Sequence, residues 1–197
     1  VPASSQGITM TELPKLGMRA ASSCSVHLED VFVPDELLLG EEGKGWYASL
    51  KPLNNERLVN AATCLGMLDG VLEDAVEHLK TRNAFGGPIG RFQALQHYVA
   101  DIAMWQKQGE LMVHHTARLQ EEGVPNAVES AMVKTLCSEY ASKAADLGIS
   151  ILGGMGYSAE TDMQRYWRDS RLLRIGPVSN EMARNQIAES FGLPRSY

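Results

Sequence analysis

The sequence predicts a mainly α protein, an up-and-down four-helix bundle carrying a short N-terminal β segment. Three observations lead there. Leucines recur every seven residues at Leu58, Leu65, Leu72 and Leu79. Gly/Pro breaks separate long stretches of helical apolar period, and a two-residue alternation upstream of Pro34 gives way to that period after Gly45. Residues 1–44 therefore carry the β segment and residues 45–197 the bundle.

In the first part, Cys24, Val26 and Leu28 alternate with Ser25, His27 and Glu29, the pattern of a half-buried strand, and Val31, Phe32 and Val33 extend it. So short a β segment needs a covering layer, so it reads as the remnant of a larger sheet. The first helix is expected over 54–82, with Ala61, Leu68 and Ala75 completing the stripe begun by the leucines. A second follows the Gly86-Gly87-Pro88 break, over 91–122, on Leu95, Val99, Ile102, Met112 and Leu119, with a polar middle at 106–109. The third begins after Pro125 and carries Met132, Leu136, Tyr140, Ala144, Leu147 and Ile151 on one face until Gly153-Gly154 stops it. A last helix over 180–191 closes the chain before Pro194.

At 197 residues, 44% hydrophobic and 21% charged, the chain is long and apolar enough to bury a core. Its net charge of −6 speaks against non-specific nucleic-acid binding, which needs clustered positive charge. No apolar run approaches the length of a membrane span. Cys24, Cys64 and Cys137 form no C-x-x-C pair, so a reducing compartment is expected: cytoplasmic, or the mitochondrial matrix in a eukaryote. The chain opens on Val1 instead of Met, which reads as a piece of a longer protein.

No metal site is expected, because none of the five histidines lies in H-E-x-x-H and the adjacent His114 and His115 face different ways on a helix. The glycines of Gly153-Gly154-Met155-Gly156 follow a helix instead of a strand, so they do not make a dinucleotide loop of the G-x-G-x-x-G kind. No nucleophile elbow is present. Arg165, Arg168, Arg171 and Arg174 recur every three residues, with Asp162 and Asp169 near enough to pair, which fits a salt-bridged face better than a phosphate site. Glu56 has two readings: a candidate base ahead of an apolar stretch, or an acid complementing a helix dipole.

Several segments together resemble the acyl-CoA dehydrogenase family, in order and over essentially the whole chain. They are Lys15-Leu-Gly-Met-Arg19, Glu29-Asp-Val-Phe-Val-Pro34, Leu39-Gly-Glu-Glu-Gly-Lys-Gly45, Asn55-Glu-Arg57, Arg82-Asn-Ala-Phe-Gly86, Gln93-Ala-Leu-Gln96, Leu152-Gly-Gly-Met-Gly-Tyr157 and Tyr166-Trp-Arg-Asp169. The resemblance implies the end of a middle β-domain followed by a C-terminal four-helix bundle that builds a homodimer or homotetramer. It implies FAD, with Arg82, Phe85, Gln93, Gly153 and Gly154 holding the ADP half in a neighbouring subunit and Ser179 in place of a threonine that contacts the flavin. Ser150 departs from a glutamine common in the family.

The implied reaction is α,β-dehydrogenation of an acyl-CoA thioester to enoyl-CoA, with electrons passed to an electron-transfer flavoprotein or a similar acceptor. One carboxylate must take the α-proton. At the commoner position for it, before the last helix, this chain has Gly176-Pro177. At the alternative position of the isovaleryl- and long-chain-type enzymes it has Glu56, with Asn54 and Arg57 beside the acyl-CoA. Two other readings stand beside this one: a flavin monooxygenase or nitroalkane oxidase of the same fold, and a non-catalytic oligomerisation fragment.

Overall fold

The computed structural model describes residues 1–195. Strands β1 (Ile8–Glu12) and β2 (Cys24–Leu28) pair antiparallel, with Ile8 opposite Leu28 and Glu12 opposite Cys24. The expected strand does not run on through Val31–Val33, because Asp30 turns into the left-handed region at φ 49° and ends the ladder. Nor is its apolar face half-buried: Val26 and Leu28 are 55% and 63% exposed, and no second layer covers the pair among the described residues.

Helix α1 (Gly45–Thr81) spans 37 residues and begins well before the expected start at Asn54. Pro52 is the reason for the difference. A proline inside a helix forfeits a backbone bond and crowds the preceding turn, so the sequence signal restarts after it, whereas the chain carries the helix through. The buried line of α1 is Ala61, Cys64, Leu68, Val71 and Ala75, with Leu58, Leu65 and Leu72 packed half-buried along its edge. Fully burying one Leu68-sized side chain contributes about 1.5–3 kcal/mol, so this line alone anchors the helix.

A hairpin, β3 (Asn83–Ala84) with β4 (Gly87–Pro88), turns through Phe85 and Gly86. Their φ values of 52° and 88° are those of a type I′ turn. Helix α2 (Gln93–Glu121) then runs unbroken through its polar middle. Gly109 is buried there, and a β-carbon would sit 3.3 Å from Cys137 Sγ, so the glycine permits close approach of the third helix.

Helix α3 (Ala127–Leu152) occupies the centre, touching α1, α2 and the three later helices. Its most buried face is not the expected Met132–Leu136–Tyr140 line but a stripe of small residues, Ala131, Cys137, Ser138, Ala141, Ala145 and Gly148. Small side chains let several neighbours approach one helix at once. A single turn, α4 (Gly154–Tyr157), precedes α5 (Met163–Leu173), the helix that carries the arginine repeat and that the apolar pattern alone does not single out. Helix α6 (Asn180–Glu189) starts as expected, capped by Ser179 Oγ accepting from Met182 N at 3.2 Å. Instead of one long fourth helix, α5 and α6 both pack on α3 and share that place in the bundle.

The β pair is tied to the bundle through α5. Asp169 Oδ1 accepts from the backbone N–H of Met18 at 2.6 Å, and Arg168 donates to the carbonyl of Leu16 at 2.9 Å. Between them, a β-carbon on Gly17 would fall 2.6 Å from the Arg168 carbonyl oxygen. Arg165 pairs with Asp162 at 2.9 Å and Arg168 donates to Gln164 Oε1 at 2.8 Å, so these two members of the arginine repeat have partners on their own helix or at its start.

Candidate functional site

The up-down-up course of α1, α2 and α3 sorts the candidate residues onto two ends of the bundle. One end gathers the first half of α1, the loop 174–180 and α6. Here Arg57 Nη1 donates to Gln186 Oε1 at 2.8 Å and to Asn54 Oδ1 at 3.3 Å, while its Nε is buried without a partner. Burial pulls the Arg57 guanidinium below its ordinary value. These residues line an open cleft of about 680 Å³ together with Trp46, Val178 and Met182. Its lining mixes polar and apolar side chains, which suits a ligand with both characters.

Glu56 lies on the neighbouring face of α1 and is exposed, so this chain does not itself supply the dry pocket such a base needs. One helical turn further on, Asn60 donates to the carbonyl of Gly176 at 2.9 Å. Residues four apart share a face of a helix, so Glu56 stands on the side of α1 that meets the 174–180 loop. Pro177 offers no basic atom there, and the bond before it is cis.

Glu181, the other acid near that loop, is differently placed. The backbone N–H at the start of α6 holds its carboxylate below the ordinary range, with help from the Ser179 hydroxyl, Arg184 and Arg174. A carboxylate held this way complements a helix start and is a poorer base. Ser179, whose Oγ caps α6, lies at the end of the molecule where Glu56 lies.

The loop also rests on a residue that the apolar pattern does not reveal. Lys134, fully buried on α3, donates to the carbonyl oxygens of Val178 at 2.5 Å and Arg174 at 3.3 Å, and to Asn180 Oδ1 at 2.7 Å. The available signal was a lone lysine flanked by Ala131, Cys137 and Ser138 on a small-residue face.

The opposite end holds the hairpin and the end of α3. Arg82, Phe85 and Gln93 are exposed there, Phe85 to 86%, its ring edge-on to Phe92 with centroids 5.9 Å apart. Gly153 adopts φ 60° and ψ −134°, a conformation that favours glycine, and a β-carbon on either Gly153 or Gly154 would meet nothing within 4 Å. A cation, a largely exposed aromatic ring and backbone with open space beside it suit the phosphate and adenine parts of a dinucleotide. Arg82 lies roughly 26 residues beyond Glu56 on α1, about 39 Å at 1.5 Å per residue, so one chain does not bring the two ends together.

Among the described residues no group of three or more His, Cys, Asp and Glu side chains could hold a metal ion, and no helix is long and apolar enough to cross a membrane.

The fold is that of a helical-bundle domain with candidate residues gathered at its two ends. The family model for the C-terminal domain of acyl-CoA dehydrogenases matches residues 43–192, and the chain belongs to the acyl-CoA dehydrogenase family. It is 37% identical over 198 residues to the mitochondrial short-chain specific acyl-CoA dehydrogenase of Mus musculus, covering 100% of this chain and 48% of that protein. It is 38% identical over 176 residues to the mitochondrial isovaleryl-CoA dehydrogenase of Oryza sativa subsp. japonica, covering 89% and 43%. Butyryl-CoA dehydrogenase from Megasphaera elsdenii superposes with a TM-score of 0.94 at 31% identity, over 98% of this chain and 51% of that one. The chain spans about half the length of the curated relatives it matches.

Proposed function

We propose that the protein of which this chain is a part oxidises acyl-CoA thioesters to enoyl-CoA with FAD, and that Glu56 takes the α-proton. The observation that carries this reading is the Asn60–Gly176 hydrogen bond, which sets the Glu56 face of α1 against the loop where the family's commoner base would stand. The proline at one base position and the glutamate at the other then border a single place. FAD, when bound, supplies the acceptor for the hydride from the β-carbon. Arg57, Asn54 and Gln186 bind and orient the acyl-CoA along the cleft, and Glu56 Oε receives the proton from the α-carbon.

Arg82, Phe85, Gln93, Gly153 and Gly154 hold the ADP half of the FAD whose flavin lies in a second copy of the chain. The assembly is accordingly a homodimer or homotetramer. An electron-transfer flavoprotein or a similar acceptor reoxidises it. Closure over Glu56 comes from parts of the protein beyond this half.

Glu56→Gln keeps size and hydrogen bonding but removes the basic oxygen. In the full-length flavoprotein it leaves FAD and acyl-CoA binding intact and slows flavin reduction on the order of a hundredfold. Glu181→Gln reduces its flavin at the wild-type rate. The opposite pattern in stopped-flow absorbance would assign the base to Glu181.

A further inference from the structure

Loops between helices normally satisfy their carbonyls with water at the surface. The loop 174–180 does the reverse. Three of its backbone carbonyls are met from the interior: Gly176 by Asn60 of α1, and Arg174 and Val178 by Lys134 of α3. Lys134 Nζ also binds Asn180 Oδ1, and the Asn180 amide donates to Ser138 Oγ at 3.0 Å. All three ammonium donors are therefore spent on neutral oxygens, two in the loop and the third on the first residue of α6.

A fully buried ammonium without a bonded carboxylate is an expensive way to join two helices, and an apolar side chain would do that more cheaply. What an apolar side chain cannot do is draw both ends of a loop onto one point. Arg174 and Val178 are such ends, and Pro177 and Ser179 lie beside the second. Burial, with the positive charges of Arg57 and Arg174, lowers the Lys134 pKa to about 8 against the opposing pull of Cys64 and Glu181. The group is thus still protonated at neutral pH.

We infer that Lys134 is a positioning residue, whose ammonium fixes the 174–180 loop so that Ser179 and the Pro177 backbone meet cofactor and substrate in one geometry. The inference rests on the proposed dehydrogenase reading of this end of the molecule. Lys134 touches neither reactant, so its removal leaves ground-state binding alone and disturbs the step that depends on alignment.

The test uses the full-length flavoprotein with Lys134→Met, which keeps the length of the side chain and deletes the donors. Three quantities are read: amide hydrogen exchange of residues 175–179, the flavin absorption band, and anaerobic flavin reduction by butyryl-CoA and isovaleryl-CoA. Exchange in the loop is expected to rise at least about tenfold while α1 and α3 stay protected. The flavin band shifts, and the reduction rate at saturating acyl-CoA falls about tenfold or more with KM unchanged. Glu56→Gln slows reduction without altering loop exchange, which separates the two roles. Wild-type exchange, or faster exchange with an unchanged band and reduction rate, overturns the inference. Should Lys134→Met not fold, Lys134→Gln retains two donors and is judged by the same criteria. If the wild-type flavin is reduced by no acyl-CoA at all, the dehydrogenase reading fails, and loop exchange still decides whether Lys134 pins the loop.

Discussion

Lys134 also leaves a mark on stability. Its ordinary pKa is 10.5 and in the folded chain it is about 8, lowered first by burial. Between those values the unfolded chain holds a proton that the folded chain has released, so unfolding takes up a proton and stability rises with pH across that window. Burial also pushes the Cys64 thiol well above its ordinary value, which adds a slope of the opposite sign, but Cys64 is present in both the wild type and Lys134→Met and drops out of the difference between them. Urea midpoints of the wild type are therefore expected to climb from pH 8 to about 10 relative to those of Lys134→Met. Parallel pH profiles for the two proteins would contradict it. Glu56 and Glu181 make the same point about environment. Both are acids near one loop, and only Glu181 has its carboxylate held by the start of a helix, which fits the proposal that Glu56 is the base.

At the level of elements, the β pair depends on one glycine for its attachment. A β-carbon on Gly17 would meet the Arg168 carbonyl and Asp169 Oδ1, both at 2.6 Å, and the carbonyl belongs to a helix that cannot yield. Gly17→Ala is therefore expected to free β1 and β2 from α5, raising proteolysis within residues 7–30 severalfold while the helical melting transition hardly moves. Equal protease resistance in both proteins would show the contact to be dispensable. Elements of this kind were legible to different depths. The seven-residue leucine repeat located α1, and the stretch that closes before Pro194 located α6, because periodicity and proline breaks are local. The extension of α1 before Pro52 was hidden, since a proline is a stop signal that only tertiary packing overrides. Helix α5 was obscured because its sequence is dominated by charge, and what holds it is Met163 and Leu173 buried against α3. At the candidate site, Arg57 and Asn54, which line the cleft, and Glu56 beside them came from one short segment through the family resemblance. Lys134 and Asn60 were not readable, because a buried polar residue announces itself only once the loop it serves is in place.

The whole bundle poses a question of stoichiometry that neither a residue nor an element can answer. Glu56 and Arg82 ride on the same helix about 39 Å apart, a separation longer than an extended dinucleotide, yet the proposed reaction needs both on one FAD. Only a second copy resolves this, with each FAD taking its ADP contacts from one chain and its base from the other. The proposal can be tested by complementation in the full-length protein. Glu56→Gln alone lacks the base at every site, and Arg82→Ala alone lacks a pyrophosphate contact at every site when FAD is limiting. In a mixed dimer, one site combines both defects while the other has an intact Glu56 and an intact Arg82. With random pairing half the dimers are mixed and each has one good site in two. Co-refolded variants are therefore expected to regain about a quarter of the wild-type activity, although each is inactive alone. A mixture no more active than the sum of its parents, after mass measurement has confirmed that hybrids form, would mean that Glu56 and Arg82 do not serve a common cofactor across the interface.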